Sequence, residues 1–327
     1  SIALNTRIEG YRSPFHSTDA QGDSELLGTG MSHAVHKGSY ILGHSGGEPQ
    51  SMAFKPVEAV VAPAAAHFVE LLGLASPREN PRYAERNVAT SLLAERLELP
   101  VVVTTRHAMH RVEVQEAGQV RVKNQPGIVM EYFEGISFAD LRKKHKADYE
   151  QLKRDPNFNR DLAALQLLDY LTGQFDRHSE NFLVKFERDA DGVLHYQGLR
   201  GIDNDGCLGS AVIPSCHKRN SQGIEYEDKL NWHGMPTIMD DDMVAAVMNL
   251  NESDIESIGH NRLTQTELRA ACERLMLLQA ALADPYNESI QVIGRADWGG
   301  PDPSDSQLEL TRDFIYYTVP DSKSSAA

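Results

Sequence analysis

The chain has 327 residues and a mass of 36.3 kDa, enough for one large domain or two lobes around a real apolar core. Its formal net charge of −15 argues against a general nucleic-acid-binding protein and against flat adhesion to anionic lipid, because both partners would repel it. No apolar stretch approaches the ~20 residues of a membrane-spanning helix, so none is predicted.

The first half of the chain shows the patterns of a strand-rich unit. Segments "HAVHKGSYIL" and "SMAFKP" have the pattern of strands and flank a predicted turn at Gly46-Gly47. Residues 82–99 carry apolar side chains at helical spacing, and this predicted helix stops before Pro100. The following "VVVTT" is predicted to be a buried strand, "HRVEVQEAGQVRVKN" a hairpin that turns at Ala117-Gly118, and "GIVMEYF" a further strand.

The second half is predicted to be mainly helical. Ser137 is typical of the N-terminal cap of a helix that reaches about Lys146, and residues 159–173 predict a strong helix that Gly173 would end. "NFLVKFE" and "HYQGLRGID" are typical of a short strand pair. Two more helices are predicted at "DDMVAAVMNL" and "TQTELRAACERLMLLQAALA", and a capping box from Thr264 to Glu267 opens the second.

The change from strands to helices predicts an α+β fold of two lobes with a cleft between them, where ligands usually bind. The predicted divisions are an N-terminal extension at 1–22, an N-lobe at 23–131, a C-lobe at 132–300 and a disordered tail at 301–327. Three cysteines, Cys207, Cys216 and Cys272, are too few for a disulfide framework, so a reducing, cytoplasmic compartment is predicted.

The segment "GTGMSHAV" is a candidate phosphate cradle. Gly28 and Gly30 would let the backbone approach a phosphate without interference from a Cβ, with Ser32 in the same segment, and Val35 would point onto a base ring. The alternative is an ordinary hairpin turn, since His33 stands where a third glycine would be expected.

Lys55 is the candidate cation. It shares a strand face with the apolar Ala53, although a solvated surface lysine is the alternative. A buried ammonium needs a carboxylate beside it, and Glu85 falls on the apolar side of the predicted helix. Asn87 and Glu95 are the alternatives on the same helix.

The stretch "FDRHSENF" combines an acid and an amide at a meaningful distance. Asp176 and Asn181 are separated by four residues, as are the aspartate and asparagine of the kinase catalytic loop H-R-D-x-x-x-x-N. That spacing lets the aspartate face an acceptor hydroxyl while the amide turns to a metal ion. "LRGIDNDG" then ends a strand at Asp203, a second candidate metal ligand, although such a segment is also typical of a plain turn. The order of all these parts favours phosphoryl transfer.

Three segments resemble the atypical kinase superfamily that includes phosphatidylinositol 3- and 4-kinases, HipA-type toxin kinases and secretory Fam-type kinases. They are "FKP" at 54–56, "DRHSEN" at 176–181 and "GIDNDG" at 201–206, and "LLAERLELPVVVTT" resembles the passage after the regulatory helix in type II phosphatidylinositol 4-kinases. The resemblance covers residues 28–206 and implies a two-lobed protein-kinase-like fold. Several bacterial secreted effectors carry such a compact core, and the length of this chain suits them.

For the nucleotide, the resemblance implies that the adenine of ATP contacts the backbone at Met130, Glu131 and Phe133 as a hinge. Lys55 would bind oxygens of the α- and β-phosphates and pair with Glu85. No segment resembles the Ala-Pro-Glu sequence of ordinary protein kinases, so the substrate platform is unassigned.

For the metal and the acceptor, the resemblance implies that Asn181 and Asp203 hold Mg²⁺ and that Asp176 acts as the base or orients the acceptor. His178 is a second candidate for the base, and a loop-stabilising hydrogen bonder is its alternative. Asn204-Asp205 stand where Phe-Gly usually follows the metal-binding aspartate.

The predicted function is that of an ATP- and Mg²⁺-dependent kinase acting on a hydroxyl, with a protein as the expected substrate and no nucleic-acid partner. A phosphoinositide kinase is the second possibility, and the acidic charge weighs against it. A transferase of AMP or another group, and a nucleotide-binding pseudokinase without turnover, remain as alternatives. For a secreted effector the place of action would be the host cytosol.

Overall fold

The computed structural model describes residues 25–29, 34–40, 50–56, 81–228 and 232–299. The predicted Gly46-Gly47 turn, the extension at 1–22 and the tail at 301–327 lie outside these ranges. Within them, the first part of the chain forms a five-stranded antiparallel sheet in the order β1-β2-β3-β5-β4. Its strands are β1 (Glu25–Thr29), β2 (Ala34–Tyr40), β3 (Gln50–Pro56), β4 (Thr105–Glu116) and β5 (Gln119–Glu131).

The predicted hairpin is confirmed as β4 and β5, which turn at Ala117 and Gly118. Both turn residues have positive φ, 52° and 80°, as a two-residue turn between twisted strands requires. The further strand predicted at "GIVMEYF" is the end of β5 rather than a separate element. The buried strand predicted at 101–105 is confirmed in its burial but is a strand only at Thr105, where β4 begins, and a single bridge joins Val102 to Gly201. A short apolar run predicts burial better than it predicts the backbone.

Helix α1 (Tyr83–Arg96) confirms the helix predicted at 82–99. Its apolar side chains, with Val88 and Leu92 each 1% exposed, pack into the core that also contains Val101 and Leu168. The helix ends at Arg96 with Leu97 as its C-cap, before Pro100.

The second part of the chain is mainly helical. Its helices are α2 (Phe138–Lys144), α3 (Lys146–Leu152), α4 (Pro156–Thr172), α5 (Asp241–Asn249), α6 (Glu252–Gly259) and α7 (Gln265–Ala283). Its strands are β6 (Ile136–Ser137), β7 (Phe182–Arg188) and β8 (Leu194–Gly201) in one antiparallel sheet, the hairpin β9 (Cys216–Arg219) and β10 (Glu225–Asp228), and the parallel pair β11 (Ile238–Asp240) and β12 (Gln291–Ile293).

The helix ends follow the predicted caps. The Ser137 side chain accepts from the Asp140 N–H, Gly173 ends α4 at φ 62°, and Thr264 and Glu267 form both bonds of a capping box. The helix from Ser137 ends at Lys144 rather than Lys146, and α3 and α6 were not predicted. The capping box of Asn251 and Asp254 was the sequence signal for α6.

One apolar core joins the sheet, α1 and the later helices. A buried ion pair between Arg86 Nη2 and Glu267 Oε1, 2.5 Å apart, also connects α1 with α7. The predicted α+β class, with strands first and helices after, is confirmed, and the element order is consistent with the predicted two-lobed, kinase-like arrangement. The domain boundaries stay predictions. No helix in the described ranges is long and apolar enough to cross a bilayer.

Candidate active site

Lys55 is the centre of the candidate site. It lies on β3 opposite Ile128 of β5, and only 8% of the residue is exposed. Its Nζ is 2.7 Å from Oδ2 of Asp205 and 3.1 Å from Oδ1 of Asp203. Because the loop after β8 meets β3 here, Lys55 is a buried, paired cation and not the solvated surface lysine of the alternative interpretation.

The structure corrects the predicted partner of Lys55. Glu85 makes no ion pair with it, and Oε2 of Glu85 is buried without a hydrogen-bond partner in the described ranges. The alternative Glu95 binds Arg106 instead, with both carboxylate oxygens 2.7 Å from Nη2. The remaining alternative, Asn87, faces the site. Positions 85 and 87 are about 200° apart around a helix, so α1 directs only one of them at the loop.

Asn87 joins α1 to the loop that carries the two carboxylates. Its Nδ2 donates to Oδ1 of Asp205 and, at 2.8 Å, to the carbonyl oxygen of Tyr83. Its Oδ1 accepts from the backbone N–H of Asn204 at 3.1 Å. One buried amide therefore holds both the backbone and a side chain of the loop, and α1 reaches Lys55 through Asp205.

The charges of this cluster shift one another's ionisation. Burial alone would lower the pKa of Lys55, but Asp205 and Asp203 raise it, so the ammonium stays charged. Burial raises the pKa of Asp205, and Asp203 adds to this effect while Lys55 opposes it. Burial also opposes ionisation of Asp203, but the attraction of Lys55 lowers the pKa of that carboxyl. The Asp203 side chain is 47% exposed and that of Asp205 only 8%, so Asp203 is the carboxylate open to a ligand.

Gln174 connects residues 176–181, which we call the catalytic-loop segment, to the loop after β8. Its Oε1 accepts from the backbone N–H of Asp176 at 2.9 Å, and its Nε2 donates to the carbonyl oxygen of Asp203 at 3.5 Å. A Cβ on Gly206 would lie 2.5 Å from that Oε1. Gly206 therefore leaves the space that lets the two loops approach.

Arg177 is the buried support of both loops, with 1% of the residue exposed. Its guanidinium binds the Asp169 carboxylate of α4, with the shortest contacts at 3.0 Å. The Nη1 group donates to the carbonyl oxygens of Asn181 and Ile202 at 2.7 and 2.8 Å, and Nη2 donates to Oδ1 of Asn204 at 2.7 Å. One side chain thus fixes a helix, the catalytic-loop segment and the loop after β8 relative to one another.

The structure brings Asp176, His178 and Asn181 together. Nδ2 of Asn181 donates to the carbonyl oxygen of Asp176 at 2.7 Å, with Oδ2 of Asp176 3.4 Å away. Nε2 of His178 is 3.9 Å from Oδ1 of Asp176, while its Nδ1 accepts from the N–H of Glu180. Burial lowers the pKa of His178, against the attraction of Glu180 and Asp203. Both candidate bases therefore share one face of the loop.

Asn181 and Asp203 are placed at neighbouring strand ends. The carbonyl oxygen of Asn181 accepts from the N–H of Ile202 at 2.9 Å, and the next pair in the sheet joins Phe182 to Gly201. The amide nitrogen of Asn181 is used by Asp176, and no hydrogen bond from a described residue occupies its side-chain oxygen. A free amide oxygen beside a half-exposed carboxylate is the donor set that Mg²⁺ prefers, so these residues fit the ion.

The predicted hinge lies where β5 ends. Met130 is buried opposite Ala53, and the N–H of Glu131 donates to the carbonyl oxygen of Thr104 at 2.9 Å. Phe133 lies two residues further on, and the guanidinium of Arg200 covers its ring. The predicted contacts of this backbone with adenine stay predictions.

The predicted cradle is only partly described. Gly28 and Val35 are register partners across β1 and β2, and Val35 packs against the core. Gly30 and Ser32 lie outside the described residues.

Sequence reasoning missed four residues that organise the site: Asp169, Gln174, Asp205 and Arg200. A charged residue in the mainly apolar part of α4, residues 162–172, was the available signal for Asp169. Asp205 could be seen in the sequence, because Asn204-Asp205 stand where Phe-Gly usually follows the metal-binding aspartate. Nothing in the neighbouring sequence indicated its contact with Lys55.

Three other features of the described ranges do not include Lys55 or its partners. The carboxylates of Asp240, Asp241 and Asp242 cluster, but Asp240 already accepts from Arg160 and Trp298. A cavity of about 620 Å³ adjoins α6 and the start of α7, and one of about 300 Å³ adjoins the C-terminal half of α1.

No protein-family model matches the chain, and no curated protein matches it significantly. The crystal structure of the Golgi casein kinase is similar over 81% of this chain and 73% of that chain, with a TM-score of 0.42 and 13% identity. The structure of hydra Fam20 with sugar is similar over 84% of this chain and 90% of that chain, with a TM-score of 0.37 and 10% identity. Likeness at this level bears at most on the overall fold.

Proposed function

We propose that this protein is an ATP- and Mg²⁺-dependent phosphotransferase that phosphorylates a hydroxyl group, with a protein as its substrate. The observation that carries the proposal is the meeting of Lys55 with Asp203 beside the pair Asp176 and Asn181. These residues come from three separate segments, and together they supply the cation, the metal ligands and the acceptor-side carboxylate that phosphoryl transfer requires.

The phosphates would be bound by Lys55. Asp205 holds its ammonium at 2.7 Å and Asp203 contacts it at 3.1 Å, which fixes the direction of the charge. Asn181 and Asp203 would hold Mg²⁺, which when bound would neutralise charge on the phosphate oxygens. Lys55 would then contribute the one N–H donor that Asp203 and Asp205 leave to the α- and β-phosphate oxygens.

The acceptor hydroxyl would be oriented by Asp176. Asn181 donates to the backbone carbonyl of Asp176, so the carboxylate is directed by the loop itself. In the transfer step the acceptor oxygen bonds to the γ-phosphorus as the bond to the leaving β-phosphate oxygen breaks, and Asp176 accepts the hydroxyl proton. His178, 3.9 Å away, is the alternative proton acceptor.

A protein acceptor is favoured over a lipid because the net charge of −15 would oppose approach to an anionic bilayer. Cys207 and Cys272 are free and buried, which supports action in a reducing, cytosolic compartment.

The test is transfer from γ-labelled ATP with and without Mg²⁺, measured separately in protein and in lipid extract. Label in protein that requires Mg²⁺ supports the proposal, label in lipid redirects it to a phosphoinositide kinase, and incorporation from α-labelled ATP redirects it to AMP transfer.

Asp203→Ala should abolish transfer while the protein stays folded. Asp191→Ala, in the exposed turn between β7 and β8, is the matched control. Full activity of Asp203→Ala would refute the assignment.

A further inference from the structure

Arg200 on β8 joins three parts of the chain around the predicted hinge. Its Nε donates to Oε2 of Glu131 at 3.3 Å, and its Nη1 donates to the carbonyl oxygens of Pro100 and Leu199 at 2.5 and 2.9 Å. Its guanidinium carbon lies 5.0 Å from the centre of the Phe133 ring. A flat, forked cation can make these contacts together, whereas a lysine ammonium cannot.

The Phe133 ring occupies a slot made by two glycines. A Cβ on Gly135 would lie 3.0 Å from the ring, and one on Gly198 would lie 3.7 Å from it. Gly198 also has φ 139°, a conformation that other residues rarely adopt. Arg200 closes the slot, so the side chain of Phe133 is held by protein. The carbonyl oxygen of Phe133 accepts from the N–H of Gly135 at 2.9 Å, so within the described ranges its backbone N–H is the group left to meet a ligand.

Glu131 is fixed from two sides. Its Oε2 accepts from both the N–H of Thr104 and Nε of Arg200 at 3.3 Å, and its own N–H donates to Thr104. The last residue of β5 therefore cannot turn without breaking the contact with Arg200.

Arg200 also stands three positions before Asp203 on the same run of chain. The segment that carries Asp203, a proposed metal ligand, thus also holds Glu131 and Phe133, which are predicted to contact the adenine. The two ends of the nucleotide site are therefore related through three residues of chain and the contacts of Arg200 with Glu131 and Phe133.

We propose that Arg200 is a positioning residue that sets the geometry of the hinge and thereby the preference for adenine over guanine. The inference rests on the proposed function, since it takes residues 130–133 as the base-binding backbone. Arg200 touches Glu131 and Phe133 rather than the nucleotide, and it acts by holding the backbone of residues 131–133 in one position, with the Phe133 N–H directed to the adenine.

The experiment measures equilibrium binding of Mg²⁺–ATP and Mg²⁺–GTP to the full chain, so it does not depend on turnover. Arg200→Ala should weaken ATP binding about tenfold and lower the ATP-to-GTP affinity ratio, because loss of a fixed hinge removes an oriented interaction. Arg200→Lys should recover only part of the ratio. Arg188→Ala, which removes an exposed ion pair with Asp148 on the neighbouring strand, is the matched control and should leave the ratio unchanged. In turnover, Arg200→Ala should raise KM for ATP and leave kcat nearly unaltered.

The outcomes separate the two proposals. If the native chain prefers ATP and Arg200→Ala keeps the same ratio, the role of Arg200 is refuted and the proposed function stands. If the native chain binds neither nucleotide, the proposed function fails, and this inference fails with it. If Arg200→Ala does not fold, the comparison is made with Arg200→Lys and Glu131→Gln, and an unchanged ratio in both refutes the role.

Discussion

Asn87 donates to one carboxylate oxygen of Asp205 while Lys55 contacts the other at 2.7 Å. The helix therefore supports the strand lysine through an aspartate of the loop, and a neutral amide stands where the resemblance to kinases implied a glutamate. Because Asp203 and Asp205 already place two carboxylates around one ammonium, a third carboxylate at position 87 would add like charge to a buried cluster.

Asn87→Ala is expected to lower kcat by about tenfold or more, because the loop loses its hold on α1 and Lys55 loses a fixed partner. Asn87→Asp should be at least as harmful, since it places a negative charge beside Asp205. Thr90→Val, at a buried position of the same helix outside the cluster, is the control. The measurement is steady-state transfer at saturating ATP, and normal kcat in Asn87→Ala would contradict the role.

The choice between Asp176 and His178 is expected to appear in the pH dependence of transfer. If Asp176 accepts the proton, Asp176→Asn should lower the rate at every pH, while His178→Ala keeps the acidic limb of the profile. If instead only His178→Ala removes that limb, His178 is the base. The measurement is kcat/KM across pH for both variants, with Asp191→Ala in the exposed turn between β7 and β8 as control.

The ion pair between Arg86 and Glu267 is expected to matter for stability far more than a surface pair. Both side chains are fully buried, so Glu267→Ala leaves a charged Arg86 without its partner at a cost of about 3–5 kcal/mol. Arg96→Ala, which breaks a partly exposed pair with Asp254, should cost about 1 kcal/mol or less. Denaturant unfolding measures both, and equal losses would be inconsistent with this account.

Acid is expected to destabilise the fold through His107 and His233. Burial, with the nearby cation of Arg262 for His107, lowers the pKa of each imidazole to about 4. Both imidazoles are neutral in the folded protein, and as pH falls the unfolded chain is protonated first. Their contribution to the free energy of unfolding is therefore fully present above about pH 6.5 and is lost as pH falls toward 4. After allowance for partial exposure, each contributes on the order of 2 kcal/mol.

The test of that pH dependence is the unfolding free energy measured from pH 7 to pH 4. His233→Gln should flatten the decline, and His260→Gln, at an exposed position, should not. A decline of the same slope in all three proteins would exclude this origin.

The sequence predicted the parts of the site that depend on local spacing. The four residues between Asp176 and Asn181 place both on one short turn, and Asp203 follows the end of a strand, so each was visible without knowledge of the fold. The partner of Lys55 was predicted wrongly because it depends on how α1 is rotated against a loop more than a hundred residues away. The contacts of Arg200 and the ion pair of Glu267 with Arg86 were missed for the same reason, since the partners are distant in sequence.

The buried guanidinium of Arg177 has a consequence for how the protein is made and lost. Its partners lie on α4, in the catalytic-loop segment just before β7 and in the loop after β8. The guanidinium makes its full set of hydrogen bonds only after all three segments have docked. Activity should therefore appear in a single late step during refolding. Local unfolding of any one of the three segments should abolish activity completely rather than reduce it gradually.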